Sequence, residues 1–285
     1  MARNSAIHVV LACRNPTLGK EAATRLRHES GHAVTFLPLD LADQQSVRRF
    51  YKVFCEAPLP PLHAIICNAG MQNVGTPQTT AEGYETGFAI NHLGHYLLVR
   101  LLLSELAQDG RISFVSSGTH DPKAGTRIPP PVYTDADSAA HDLEGGQRNG
   151  LRRYALSKLC NLLCAYELHQ LLKSSGDARL ASIKVNSFNP GVMAETGLAR
   201  TFPWPIRILS RYVMPVMEKD VQNARISAEL LVAMTLGHQA APGGRYFSRG
   251  EAITLSDDSY NPEFQRELWA SSARMTGLPG GLAES

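Results

Sequence analysis

The chain has 285 residues, of which 44% are hydrophobic and 19% charged, and its formal net charge at pH 7 is +2. A chain of this length and apolar content can bury one large core, and no linker-like tract divides it, so we expect a single domain over residues 1–285. The small net charge and the lack of a lysine and arginine stripe argue against a nucleic-acid partner.

Metal-binding and membrane signals are weak. The five cysteines show no C-x-x-C pair, and we expect buried free thiols in a reducing compartment and a cytoplasmic location. His92 and His95 lack a third ligand at a suitable spacing, so we expect no metal. No signal peptide is visible. The most apolar helical segment, at about 97–103, is interrupted by Arg100 and is too short to span a bilayer.

Short apolar runs alternate along the chain with longer segments of helical periodicity. The pattern predicts strands at 8–13, 33–39, 62–67, 111–116, 182–188 and 245–247. It predicts helices at 18–29, 46–56, 83–108, 153–172 and 221–236. Strands separated by helices indicate an α/β fold with a doubly wound parallel sheet. Such sheets bind ligands beyond the C-terminal ends of their strands, and the candidate residues below fall there or on the following helix.

A tyrosine and a lysine four residues apart, Tyr154 and Lys158, would project from one face of a helix. The lysine and a positively charged bound cofactor would lower the phenol pKa from about 10 toward neutrality, a shift worth about 4 kcal/mol. Ser117 ends an apolar strand segment, where its hydroxyl would face a cleft. The three suit proton transfer at a carbonyl or alcohol oxygen. Taken alone, the pair more often marks a half-buried tyrosine beside a solvated lysine.

Further motifs place this pair in a wider pattern. The motifs are VVLACRN (9–15), LDLAD (39–43), CNAG (67–70), AEGYETGFAINHLGHYLLVRLLL (81–103), FVSS (114–117), YALSKLCN (154–161), NPGVMAETGL (189–198) and GGRYFS (243–248). Their order and spacing resemble those of the short-chain dehydrogenase/reductase superfamily from about residue 8 to about residue 277, and within it the branch that holds retinol dehydrogenases and light-dependent protochlorophyllide reductases.

The resemblance implies a Rossmann-like fold with a catalytic set of four residues. Tyr154 would donate or accept the proton of the reacting oxygen. Lys158 would lower the pKa of that tyrosine and hold the ribose hydroxyls of the cofactor. Ser117 would orient the oxygen, and Asn91 would hold a water in the proton relay to Lys158. The alternative for Asn91 is a helix-bending residue satisfied by a backbone carbonyl.

The resemblance also implies that the cofactor is NADP(H). Arg14 follows the strand where the family binds the adenosine ribose, and its guanidinium would pair with a 2′-phosphate, favouring NADP over NAD. The alternative is a surface arginine near a helix start. Asp40 resembles the adenine-contacting aspartate, although it would also serve as a turn or cap. Asn68, Ala69 and Gly70 form a turn of little bulk, which lets the backbone approach the adenine ribose.

A second loop would lie under the nicotinamide. Pro190 and Gly191 resemble this loop of the family, with Met193 as the residue that contacts the ring. The sequence departs from the family pattern at Glu195, where a threonine is expected, and Thr196 is the candidate that replaces it.

The segment after this loop, at about 195–220, corresponds to the substrate lid of the family. It is rich in aromatic and aliphatic residues, so we expect a bulky apolar substrate. An interface or core-packing segment is nearly as consistent with the same composition.

The N-terminal end departs most from the family. The family's first strand, glycine-rich turn and first helix would fill about thirty residues upstream of the first matching strand and would hold the pyrophosphate. This chain has seven residues there. Two neighbouring strands would then lose partners on facing edges. We favour a misassigned start, because the catalytic set downstream is complete; the other reading is a decayed relative that binds cofactor weakly.

These features predict an NADP-dependent oxidoreductase that interconverts a carbonyl and an alcohol on a small-molecule substrate by hydride transfer. The protochlorophyllide-like resemblance leaves reduction of a C=C bond open. The alternative is a non-catalytic protein on a degenerate dinucleotide fold. Family members often pair through the helices that bear Tyr154 and Asn91, so a homodimer is the default expectation.

Overall fold

A computed structural model describes residues 7–126, 128–191, 223–237 and 242–282. Strands and helices alternate through this part of the chain, as the periodicity predicts. The strands are β1 (Val9–Cys13), β2 (Val34–Pro38), β3 (Leu62–Cys67), β4 (Leu106–Val115), β5 (Lys184–Asn189), β6 (Arg245–Ser248) and β7 (Glu251–Ala252).

Most helices begin at a residue that caps them. The side chains of Asn15, Asp43 and Asn261 each accept a hydrogen bond from a backbone amide in the first turn that follows. The helices are α1 (Pro16–Ser30), α2 (Gln44–Glu56), α3 (Thr86–Phe88), α4 (Gly94–Leu102), α5 (Ala136–Ala140), α6 (Gln147–Ser174), α7 (Ala178–Ser182), α8 (Ala224–Leu236) and α9 (Pro262–Thr276). A π-helical turn, Ala89–Leu93, joins α3 to α4. None of the helices in the described ranges is both long and apolar enough to cross a membrane.

The sheet is parallel except at one edge and is divided into two parts. Five strands run in the order β3-β4-β5-β6-β7, in which only β7 is antiparallel to its neighbour. The strands β1 and β2 pair with each other in parallel as a separate ladder. Among the described residues, no strand pairs with the second edge of β1 or of β3. The fold is therefore α/β with a parallel-dominated Rossmann-like sheet, as predicted.

One apolar core joins the two parts of the sheet. Leu37 on β2 and Phe50 on α2 belong to the same buried cluster as Leu97 on α4 and Ile112 on β4. Gly94 allows α4 to approach the chain after β2, because a Cβ built there would lie 2.4 Å from the carbonyl oxygen of Leu41. The packing of α4 therefore fixes where β1 and β2 sit relative to the larger sheet.

Two details differ from the sequence prediction. The helix predicted at 83–108 ends at Leu102, and β4 already begins at Leu106. Apolar residues continue on both sides of this boundary, and no glycine or proline lies between Leu102 and Leu106 to mark it. Buried thiols were expected throughout, but Cys13 and Cys55 are exposed. Cys13 ends β1, whose last two residues are uncovered, and Cys55 lies away from the face of α2 that packs on the core.

Candidate active site

The predicted serine lies where β4 ends. Ser117 is extended (φ −161°, ψ 150°), and its Oγ accepts a 3.4 Å hydrogen bond from the amide of Thr119 in the short 3₁₀ turn that follows, Gly118–His120. The same hydroxyl lies near the phenol of Tyr154 and acts to lower its pKa. The strand end and the helix α6 thus bring together two of the predicted catalytic side chains.

The predicted tyrosine and lysine lie one turn apart on α6. The Nζ of Lys158 is 5.7 Å from the ring centroid of Tyr154. It donates a 3.1 Å hydrogen bond to the carbonyl of Val115, the last residue of β4. The hydroxyl of Ser116 donates to the carbonyl of Lys158 at 2.8 Å. These contacts hold α6 against the C-terminal end of β4.

Burial shifts the pKa of each group so that its neutral form is favoured. It raises the pKa of Tyr154 to about 12, although the neighbouring Ser117 hydroxyl opposes the shift. It lowers the pKa of Lys158 to about 8, and the side chain is only 3% exposed. The sequence analysis expects the lysine and a bound, positively charged cofactor together to lower the pKa of Tyr154. That lowering stays a prediction.

The predicted asparagine lies in the π-helical turn, buried beside Lys158. The side chain of Asn91 brackets the backbone of Met71: its Oδ1 accepts from the amide at 2.7 Å, and its Nδ2 donates to the carbonyl at 2.9 Å. The same Nδ2 donates to Ser157 Oγ at 2.9 Å, and Ser157 donates to the carbonyl of Tyr154 at 2.7 Å. Ser157, which the sequence did not single out, therefore connects the asparagine to the tyrosine.

The turn after β3 borders this group. Asn68, Ala69 and Gly70 are exposed, and Gly70 lies against the catalytic candidates. A Cβ built on Gly70 would lie 3.3 Å from Lys158 Nζ and 3.5 Å from Asn91 Oδ1. A backbone without a side chain here keeps the space beside the lysine ammonium open.

The other cofactor candidates lie at the ends of β1, β2 and β5. Arg14 is exposed directly after β1. Asp40 follows β2 and accepts a 3.0 Å hydrogen bond from the amide of Ala42, which is the turn role that the sequence left open. Pro190 and Gly191 follow β5, and Gly191 has a φ of 74°, which favours glycine.

Some predicted residues lie outside the described part of the chain. They are Met193, Thr196 and the predicted lid at 195–220.

A cavity of about 240 Å³ lies beside Ser117, lined in part by Asn189, Gly191 and His120. The ring of His120 is buried, its Nδ1 donates a 2.5 Å hydrogen bond to the carbonyl of Ser117, and it packs edge-on against Tyr246. After Ser157, His120 is the second residue of the candidate site that the sequence analysis missed, because a single histidine after the strand matches no motif.

His92 in the π-helical turn and His95 in α4 are buried packing residues. His92 contacts Ser272 Oγ at 2.8 Å, and His95 Nδ1 donates to the carbonyl of Asn91 at 3.0 Å. Burial lowers the pKa of His92 to about 3 and that of His95 to about 4, and Lys158 lowers the latter further. Among the described residues, no three histidine, cysteine or acidic side chains are grouped as metal ligands would be.

Comparisons with known proteins show the family to which this chain belongs. The family model for short chain dehydrogenases matches residues 1–129. Protochlorophyllide reductase of Avena sativa is 31% identical to this chain over 306 aligned positions, which cover 98% of this chain and 94% of the reductase. The chain therefore belongs to the short-chain dehydrogenase family of oxidoreductases.

Two further comparisons give one relative by sequence and one similar solved structure. WW domain-containing oxidoreductase of Danio rerio is 33% identical over 278 residues, covering 94% of this chain but only 62% of that longer protein. A short chain dehydrogenase of Burkholderia cenocepacia, solved in complex with NADP, superposes with a TM-score of 0.61 at 18% identity, covering 85% of each chain. At that identity the likeness shows the fold.

Proposed function

We propose that the protein is an NADP(H)-dependent oxidoreductase that interconverts a carbonyl and an alcohol. The observation that carries the proposal is that the Ser117 hydroxyl lies near the Tyr154 phenol, with Lys158 one turn further along the helix that bears the tyrosine. A phenol that a neighbouring hydroxyl aligns at the end of a parallel strand suits proton transfer to a substrate oxygen in the adjoining cavity.

The residues present fit a dinucleotide. Gly70 leaves the space beside Lys158 Nζ open, and that ammonium has donors beyond the one it gives to Val115. Gly191 allows close backbone approach at the end of β5, and Arg14 offers an exposed guanidinium at the end of β1. The NADP complex of the Burkholderia cenocepacia neighbour supports the choice of NADP. When bound, NADPH supplies the hydride.

The chain's own residues handle the proton. Tyr154, with a pKa of about 12, keeps its phenolic proton at neutral pH and donates it to the carbonyl oxygen. Ser117 orients that oxygen by hydrogen bonding. Lys158 is mostly protonated below its pKa of about 8, so a proton is at hand beside the phenol. Asn91 keeps the turn after β3 against the lysine through its two bonds to Met71. These protonation states suit the reductive direction.

The expected substrate is bulky and apolar. The composition of the segment at 195–220 supports this expectation. The similarity to protochlorophyllide reductase keeps reduction of a C=C bond as a second reaction for the same site.

A second candidate is a non-catalytic protein on this fold. The second edges of β1 and β3 have no strand partner among the described residues, and this favours weak cofactor binding.

The test is direct. NADPH and NADH are titrated into the purified protein and followed by fluorescence, and NADPH oxidation is then measured with a panel of apolar ketones, aldehydes and enones. We expect NADPH to bind more tightly than NADH and ketones or aldehydes to be reduced. A protein that neither binds NADPH nor turns over any substrate would favour the non-catalytic alternative. Turnover of enones alone would indicate that the reaction is reduction of the C=C bond.

A further inference from the structure

A buried ion pair joins the residue that caps α3 to a residue in the second turn of α6. Glu85 caps α3, with its Oε2 accepting a 2.7 Å hydrogen bond from the amide of Phe88, and it is 1% exposed. Its Oε1 lies 3.8 Å from Nε of Arg153, whose residue is 6% exposed. The two residues come from distant parts of the sequence.

Each partner belongs to the helical stretch that carries a catalytic candidate. Arg153 directly precedes Tyr154 on α6. Glu85 begins the continuous helical stretch α3, π-helical turn and α4, which carries Asn91. The pair therefore joins the start of the helical stretch that carries Asn91 to the residue beside Tyr154 on α6, and these two elements must hold Asn91 and Tyr154 at a fixed separation. The bond from Asn91 to Ser157 crosses the same junction nearer the site.

The loop before α6 completes the cluster. Arg153 Nη1 lies 3.6 Å from Asp142 Oδ1 and donates to the carbonyl of Glu144. Asp142 also pairs with Arg152 at 3.3 Å. The Nε and Nη2 of Arg153 have no hydrogen-bond partner among the described residues. The guanidinium is thus held by charge and by one carbonyl, not by a full set of hydrogen bonds.

Stability alone does not account for the pair. Burial raises the pKa of Glu85, and the Phe88 and Gly87 amides and the Arg153 charge only partly oppose it. Buried ion pairs of this kind often contribute little net stability relative to apolar residues of the same size. A rigid, planar guanidinium between two elements does, however, restrict their separation.

We propose that Glu85 and Arg153 are positioning residues that set the placement of Tyr154 relative to Asn91. The role in turnover rests on the proposed function, while the placement itself does not. Because small displacements of reacting groups lower rates by up to about a hundredfold, loss of the pair would reduce turnover more than cofactor affinity.

The experiment replaces the pair without leaving one charge buried. Glu85→Gln/Arg153→Met is compared with Arg25→Met/Glu29→Gln, which removes an exposed ion pair of nearly equal separation, 3.9 Å, on α1. Both variants are labelled with 3-fluorotyrosine, and Tyr154→Phe assigns the Tyr154 fluorine resonance. Thermal melts show that each variant is folded. NADPH affinity and turnover with the carbonyl panel are measured on the unlabelled proteins.

The expected result is a shifted or broadened Tyr154 resonance and about a tenfold lower kcat, with NADPH affinity within about threefold of the parent. The exposed-pair control should match the parent. If the double variant does not fold, Arg153→Lys, which keeps the charge but shortens the reach, should give a smaller change of the same kind. A folded variant with the parent's resonance and kcat would overturn the proposal. Should the parent itself lack turnover, the proposed function fails, and the Tyr154 resonance alone decides the positioning role.

Discussion

At the scale of single residues, the buried charge of Lys158 serves the proposed catalysis but lowers the stability of the fold. Its pKa is lowered from 10.5 to about 8 by burial, so the unfolded chain binds a proton more tightly than the folded protein. The difference corresponds to a cost of about 3 kcal/mol at pH 7. Between pH 8 and pH 10.5 the unfolded chain holds more protons, so stability rises with pH across this window.

Replacing this lysine should stabilise the protein while removing its activity. Lys158→Met deletes the buried charge and keeps the length of the side chain, so we expect the free energy of unfolding at pH 7 to rise by about 1–3 kcal/mol. Chemical denaturation of the cofactor-free protein measures this. The control is Lys173→Met near the end of the same helix, where the lysine is exposed and the change should stay within about 0.5 kcal/mol. A less stable Lys158→Met protein would show that the buried charge is better compensated than we infer.

Arg14 should decide between the two dinucleotides. If its exposed guanidinium meets the 2′-phosphate, Arg14→Ala weakens NADP binding by about 1.5–3 kcal/mol and barely changes NAD binding, because only NADP carries that phosphate. Calorimetric titration with both cofactors measures the difference. Equal losses would assign Arg14 a structural role.

At the scale of elements, α4 packs directly against the chain that follows β2. Gly94 opens α4 at a place where a Cβ would lie 2.4 Å from the Leu41 carbonyl oxygen and 2.9 Å from the Leu41 Cβ. The backbone must shift to admit a side chain there. This contact is what ties the β1–β2 ladder to the larger sheet.

Gly94→Ala should therefore destabilise the protein by about 1–3 kcal/mol, although alanine has the higher helix propensity. A thermal melt compares it with Gly145→Ala, where a Cβ would meet nothing within 4 Å. Unchanged stability in Gly94→Ala would mean that the joint between the two parts of the sheet is looser than described.

The sequence located most elements because apolar periodicity and capping residues are local. The strand at 62–67 matches β3 in full, and four other predicted strands lie within two residues of β1, β2, β5 and β6. The helix α9 was missed, although Asn261, Pro262 and Gly277 carry the signals of a helix start and stop. The Glu85–Arg153 pair could not be predicted, because no local pattern indicates which distant side chains a fold brings together.

At the scale of the whole molecule, the sheet is open where the family resemblance places a further strand. β1 pairs only with β2, and β3 only with β4, among the described residues. Both second edges carry backbone groups that a strand would satisfy. The residues predicted to meet adenosine, ribose and nicotinamide lie at the C-terminal ends of β1, β3 and β5.

A form extended upstream of Met1 by a strand, a glycine-rich turn and a helix should therefore bind NADPH about tenfold or more tightly than the 285-residue chain. It should also melt at a higher temperature, because the strand would pair with both edges. NADPH fluorescence titration and thermal melts of the two forms measure both effects. Equal affinity and equal melting temperature would show that the chain holds the pyrophosphate by other means.

The central claim is that the phenol of Tyr154 carries the proton, and one substitution isolates it. Tyr154→Phe keeps the ring and removes the hydroxyl that lies near Ser117, while Tyr166→Phe makes the same change further along α6, where the ring packs on Tyr260. NADPH-dependent turnover is measured for both, together with NADPH affinity. The account predicts that Tyr154→Phe abolishes turnover with affinity within a few-fold of the parent, and that Tyr166→Phe retains turnover. Turnover of Tyr154→Phe within tenfold of the parent would contradict it.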